Sequence, residues 1–154
     1  RMTETISRLF RRSFKKEWFE TYWAFDVHGV IFKPNHKVHS DEAEFYPFAK
    51  ETLQLLSKRK DIVLILFTSS FPDEIEFYQQ IFKENDINFD FVNENKAIDS
   101  SKGNFGYYEK KFYFDILFED KAGFDPEEWP EILQWLKWAE EIDYFPNPNW
   151  TTKF

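Results

Sequence analysis

The sequence predicts an α/β fold of three layers, Rossmann-like in plan: a central, mostly parallel sheet flanked by helices, with no large cap domain. Three observations point there. Short apolar runs of strand length alternate with amphipathic segments of helix length, the pattern of parallel strands joined by crossovers. Polar, chemically capable residues stand at the C-terminal ends of three of those runs, the edge where ligands bind in open α/β sheets. The intervals between runs hold a loop, a helix or a short strand, and none is long enough for a second domain.

The elements follow in order. Residues 3–19 read as an amphipathic helix in which Ile6, Leu9, Phe10, Phe14 and Trp18 recur at helical spacing, with Arg8, Arg11, Arg12, Lys15 and Lys16 between them. Thr21–Asp26 is a short aromatic-rich strand ending in an acid. Pro47 opens a helix with Phe48, Thr52, Leu55 and Leu56 as its buried stripe, and the basic run Lys58–Lys60 suits the dipole of its last turn. Ile62–Phe67 is continuously apolar, as a strand covered on both faces would be.

Pro72 and Asp73 start a helix that turns Ile75, Tyr78, Ile81 and Phe82 inward, and Asn88–Val92 is a third short strand. After a polar excursion over 93–109, with Gly103 and Gly106, the run Phe112–Phe118 forms another strand that leads into Glu119 and Asp120. A turn at Gly123 and an N-cap at Asp125 precede the last helix, with Ile132, Leu133, Leu136 and Ala139 as its core face. The chain is thus divided into a basic helical arm over 1–20, a core over 21–145 and an extended tail over 146–154.

Composition narrows the function. A length of 154 residues suits one core, and with 20 Phe and 6 Trp that core is built largely from rings. The absence of cysteine excludes disulfides and thiolate chemistry, and fits a reducing compartment. No apolar run approaches the roughly 20 residues that span a bilayer, so a soluble, cytoplasmic protein without a transmembrane segment is expected. The net charge of −8 disfavours general nucleic-acid binding. The charge is unevenly spread, however: residues 1–20 carry +3 and the remainder −11.

Three strand ends supply complementary groups: Asp26-Val27-His28-Gly29-Val30 after the first, Thr68 after the second, and Glu119-Asp120 after the fourth, which Lys111 precedes. Carboxylates, a hydroxyl and an ammonium at one crevice are what phosphoryl transfer through an aspartyl intermediate requires. Ser69 and Ser70 compete with Thr68, and Lys110 and Lys102 compete with Lys111. Asp115 reads as hydrogen-bonded structure, His36 and His39 as surface loop residues, and Trp129, Trp135 and Trp138 as packing against the sheet.

In that arrangement the chain resembles the haloacid dehalogenase-like hydrolase superfamily. WAFDVHGVIF is similar to its nucleophile motif, VLILFT to its second motif, and KFYFDILFED to its lysine and paired acids; the resemblance covers about Thr21 to Leu136. The stretch FYPFAKETLQLLSKRKDIVLILFTSS is similar to a small, capless branch. The resemblance implies a magnesium-dependent phosphohydrolase with Asp26 as nucleophile and metal ligand, and the His28 backbone carbonyl as a further ligand. Asp120 would complete the protein ligands, and Glu119 would bind through water or orient the site. Thr68 would hold a phosphoryl oxygen, Lys111 would bridge nucleophile and phosphate, and Gly29 would permit the backbone turn that follows the nucleophile.

His28 departs from the pattern, because it stands where family phosphatases carry a second aspartate. Histidine can serve as acid and base near neutrality. The same substitution would also suit a catalytically reduced binding or regulatory module, or a hydrolase with chemistry other than phosphatase. The expected partner is a phosphorylated small molecule, nucleotide or macromolecule. The lack of a cap suggests a bulky substrate, such as a phosphoprotein, nucleotide or polynucleotide end, or closure of the site by oligomerisation. Residues 31–45 and 93–109 are the expected specificity elements.

Overall fold

A computed structural model describes residues 1–34, 43–98 and 111–144. His36, His39, Lys102, Lys110, Gly103, Gly106 and the tail lie outside the described residues. The described elements are α1 (Met2–Lys16), β1 (Thr21–Phe25), α2 (Ala49–Ser57), β2 (Ile62–Leu66), α3 (Pro72–Glu84), β3 (Phe91–Val92), β4 (Ile116–Phe118) and α4 (Trp129–Glu141). The strands form one parallel sheet in the order β3-β2-β1-β4. Among the described residues there is no cap domain.

The sheet separates two apolar layers. On one face Trp23, Phe25, Leu64, Leu66, Ile116 and Phe118 meet the buried residues of all four helices. Stacked rings run through this layer among more numerous aliphatics: Phe25 stacks on Phe118 at 4.4 Å, and Phe118 stacks on Trp129 at 5.7 Å. On the other face Tyr22, Ala24 and Ile65 are covered by Ile98, Phe112, Tyr113 and Phe114. The aromatic run before β4 therefore passes over the sheet instead of extending the strand, so β4 is shorter than the periodicity predicts.

Two aspartates mark where the edge strands join. Asp115 donates its N–H to the Tyr22 carbonyl while its carboxylate accepts the Tyr22 N–H. Asp90 does the same to Leu64 before β3. Each carboxylate supplies an acceptor that the ladder lacks at that position, so the Tyr22 and Leu64 amides are paired.

Three local expectations are corrected. Phe14 is 65% exposed, because α1 buries Ile6, Leu9, Phe10 and Ser13 instead, with Phe10 stacked on Trp135. Phe48 is not part of a buried stripe: it occupies the N-cap of α2 at φ 69 and is half exposed. Arg59 is not a solvated partner of a helix dipole. Its side chain is 0% exposed, paired with Asp61 at 3.0 Å and with Glu140 at 2.9 Å. Trp129 is buried as expected, whereas Trp138 remains 45% exposed.

Candidate metal and phosphate site

The ladder itself brings the strand ends together. Asp26 donates its backbone N–H to Phe118 at 2.9 Å, and Phe67 donates to Phe25 at 2.8 Å. Asp26 thus sits between the residue before Glu119 on one side and the residue before Thr68 on the other. One carboxylate oxygen from each of Asp26, Glu119 and Asp120 lies within 4.8 Å of the other two.

Each acid is held by its own local structure. The Val27 N–H donates to Asp26 Oδ1 at 2.8 Å, which fixes the carboxylate and leaves its second oxygen available. Asp120 opens a 3-10 turn through Ala122, its Oδ1 accepts the Lys121 N–H at 2.9 Å, and Gly123 closes the turn at φ 105. The turn after β1 folds tightly through Val27, whose carbonyl accepts from Ile31 and Phe32. Trp129 pins that turn from the core, donating Nε1–H to the Val30 carbonyl at 2.8 Å.

Gly29 is where the two loops touch. It sits at φ 76, and a Cβ there would stand 3.0 Å from Asp120 Oδ2. Gly29→Ala is expected to cost about 1–2 kcal/mol from the left-handed backbone alone and to push Asp120 out of the cluster. The check is a melting curve beside a divalent-cation titration, with loss in both.

Crowding of like charges shapes the electrostatics. Burial raises the Asp26 carboxyl above its ordinary range; the Val27 amide opposes this, Asp120 adds to it, and His28 and Lys121 counter it. Glu119 is raised as well, by desolvation and by its contact with Asp120. Three hard oxygen donors that repel one another fit a small divalent cation such as magnesium, and the missing side chain at Gly29 is what lets Asp120 approach the turn after β1.

His28 is exposed at the rim, and its Nε2 lies 2.6 Å from the Tyr78 hydroxyl, which is 3.5 Å from Glu74 Oε2. The ring also meets Tyr78 edge-on at 5.4 Å. Nε2 is thus the engaged ring nitrogen.

Thr68 is held by Asn93. Asn93 Oδ1 accepts the Thr68 N–H at 2.9 Å and Nδ2 donates to the Thr68 carbonyl at 2.8 Å, from a backbone at φ 52. The Thr68 hydroxyl lies 2.8 Å from the Ser70 hydroxyl and accepts the Ser70 N–H at 3.1 Å.

Lys111 is exposed and, among the described residues, forms no ion pair with the three acids. The segment it begins does reach the right edge, since Phe112 packs 6.0 Å from Phe67.

Tyr78, Asn93 and Lys121 are contributions that sequence reading missed. Tyr78 was legible only as an inward helix residue. Asn93 carried no signal beyond following a strand, and Lys121 was visible as the neighbour of Asp120. Two cavities, of about 670 Å³ beside Ser57, Lys83 and Phe89 and about 320 Å³ beside Trp18 and Tyr113, do not touch the acidic cluster.

No family model matches the chain, and no curated protein matches it in sequence. A solved structure, that of a conserved protein coded by a locus from Bacteroides thetaiotaomicron, is similar to it with a TM-score of 0.59 and 22% identity. The similarity covers 78% of this chain and 92% of that one, and supports the α/β fold.

Proposed function

We propose that this protein is a magnesium-dependent phosphohydrolase of the haloacid dehalogenase-like kind, in which Asp26 attacks the phosphorus of a phosphoester. The observation that carries the reading is the meeting of Asp26 with Glu119 and Asp120 at the C-terminal edge of the sheet, with Gly29 allowing the close approach of Asp120. A bound magnesium would supply charge neutralisation for the nucleophile and the phosphoryl oxygens.

The chain's own residues do the rest. The Val27 N–H holds one oxygen of Asp26 and leaves the other to act as nucleophile. Thr68, set by Asn93, holds an equatorial phosphoryl oxygen, and Lys111 or Lys121 supplies positive charge as negative charge builds in the transition state. His28 protonates the leaving oxygen and then takes a proton from the water that releases phosphate from Asp26, with Tyr78 fixing its ring.

The test is hydrolysis of a generic aryl phosphate with and without magnesium, in wild type, His28→Ala and His28→Asp. The reading expects magnesium-dependent turnover that falls about a hundredfold in His28→Ala. A wild type that is silent until His28→Asp is introduced would favour a second reading, a site kept for binding. The tie between the His28 ring and Tyr78 is the observation behind that alternative.

Asn93→Leu provides a separate check on geometry. It removes both hydrogen bonds to the Thr68 backbone, and a misplacement of about 1 Å costs up to about a hundredfold. The expected result is a fall in kcat of at least tenfold with little change in KM.

A further inference from the structure

We propose that the outward face of α1 is a docking surface for an anionic phospholipid bilayer, a role that does not depend on the chemistry assigned to Asp26. The inward stripe of this helix is occupied: Ile6, Leu9, Phe10 and Ser13 are buried, and Phe10 packs between Trp23 and Trp135. The helix therefore cannot roll its apolar side into a membrane and still belong to the fold. What it presents outward is Arg8, Arg11 and Lys15, spaced three and four residues apart on one line, with Arg12 and Lys16 alongside. All five are exposed, and none forms an ion pair among the described residues.

Charge selects an anionic partner and sets the orientation. The first 20 residues carry +3 on a chain whose remainder carries −11, so the net charge of this segment favours a negative surface while that of the remainder opposes it. Screening over about 8 Å at physiological ionic strength confines that attraction to groups close to the surface.

The apolar contribution selects a bilayer over a polynucleotide. Phe14 and Phe19 are 65% and 56% exposed at the end of the basic run, and the Lys16 ammonium lies 5.3 Å from the Trp18 ring centre. Exposed rings beside cations match the headgroup layer, which takes rings into its acyl boundary while its phosphates meet the ammonium and guanidinium groups. No described helix is long and apolar enough to cross the membrane, so the contact is peripheral.

The experiment is co-sedimentation of the full chain with vesicles of phosphatidylcholine alone, and of phosphatidylcholine with phosphatidylglycerol, at low and physiological salt. A labelled single-stranded oligonucleotide serves as competitor. Binding is expected only to the anionic vesicles, weakening as salt rises. At about fivefold per basic residue, the combined Arg8→Glu, Arg11→Glu and Lys15→Glu variant should bind at least about a hundredfold more weakly. Phe14→Ser with Phe19→Ser should lose severalfold with every cation in place. These side chains are exposed, so both variants should melt like wild type; Phe14→Ser alone keeps the test open should a multiple variant fail to fold.

Absence of binding to anionic vesicles at low salt would overturn the proposal, as would equal binding to phosphatidylcholine alone or unchanged binding by the charge-reversed variant. Displacement by the oligonucleotide, with the Phe variants binding like wild type, would assign the face to nucleic acid instead. Salt-sensitive self-association without lipid, lost in the charge-reversed variant, would assign it to a second copy.

Discussion

Asp26→Asn is expected to lower phosphoester turnover by at least about a thousandfold while leaving the fold in place. The two side chains have the same shape, and asparagine keeps an oxygen for the Val27 N–H that now donates to Asp26 Oδ1. What disappears is the anion that attacks phosphorus, together with one charged donor of the acidic cluster. Burial and the Asp120 charge already disfavour ionised Asp26, so the metal-free variant should melt at or above the wild-type temperature. Loss of turnover with unchanged or higher stability separates a chemical role from a structural one. Steady-state kinetics and a thermal melt on the same preparation read both, and retention of more than a tenth of the activity would place the nucleophile elsewhere.

The largest expected effect on stability lies on the opposite edge, at Arg59. Its guanidinium is wholly buried, held by Asp61 at 6% exposure and by Glu140 at 33%. Asp61→Ala leaves that charge inside the protein without its more buried carboxylate. Breaking a buried pair in this way costs about 3–5 kcal/mol, and the remaining Glu140 contact puts the expectation near the lower end. For a chain of this size that is a fall in Tm of about 6–12 °C. Glu140→Gln removes the more exposed partner and should cost about 1 kcal/mol or less.

The Arg59→Met, Asp61→Leu double variant should recover most of the loss, because both charges of the buried pair are gone and Glu140, which loses Arg59, is a third exposed. Burial pushes the Asp61 carboxyl up to about 6 even against the pull of Arg59, so desolvation outweighs attraction in this pair. The sign of the pH effect follows. The folded protein binds this proton more tightly than the unfolded chain, whose carboxyl titrates near 3.8. The contribution to stability is therefore complete below about pH 4 and lost as pH rises through about 6. Relative to the double variant, wild type should weaken across that interval, as denaturant titrations at several pH values would reveal.

The order of elements was legible because it rests on local pattern. Ile62–Leu66 reads as a buried strand from composition alone, and Pro72 and Asp125 announce the helices that follow. The strand ends were legible for the same reason, since Asp26, Thr68, Glu119 and Asp120 each follow an apolar run. Contacts between distant segments were not. Asn93 reaches Thr68 across 25 residues and Tyr78 reaches His28 across 50, and neither spacing leaves a periodic trace.

Phe14 and Phe48 misled because a large ring at helical spacing imitates a core residue. Arg59 misled because a basic run near a helix end imitates a dipole partner, and its acidic neighbour Asp61 carried the only hint of burial. The aromatic run Phe112–Phe114 has the composition of a strand, yet it serves as a cover for the second face of the sheet.

The most direct measurement of the central claim is an acid-quenched single turnover with an aryl phosphate and magnesium, followed by intact-protein and peptide mass spectrometry. A nucleophilic Asp26 predicts a transient gain of one phosphoryl group on the peptide that carries it, sensitive to hydroxylamine and absent from Asp26→Asn. Product formation with no such adduct at any quench time in wild type and in His28→Ala, where breakdown should be slowed, or an adduct on another residue, would contradict it.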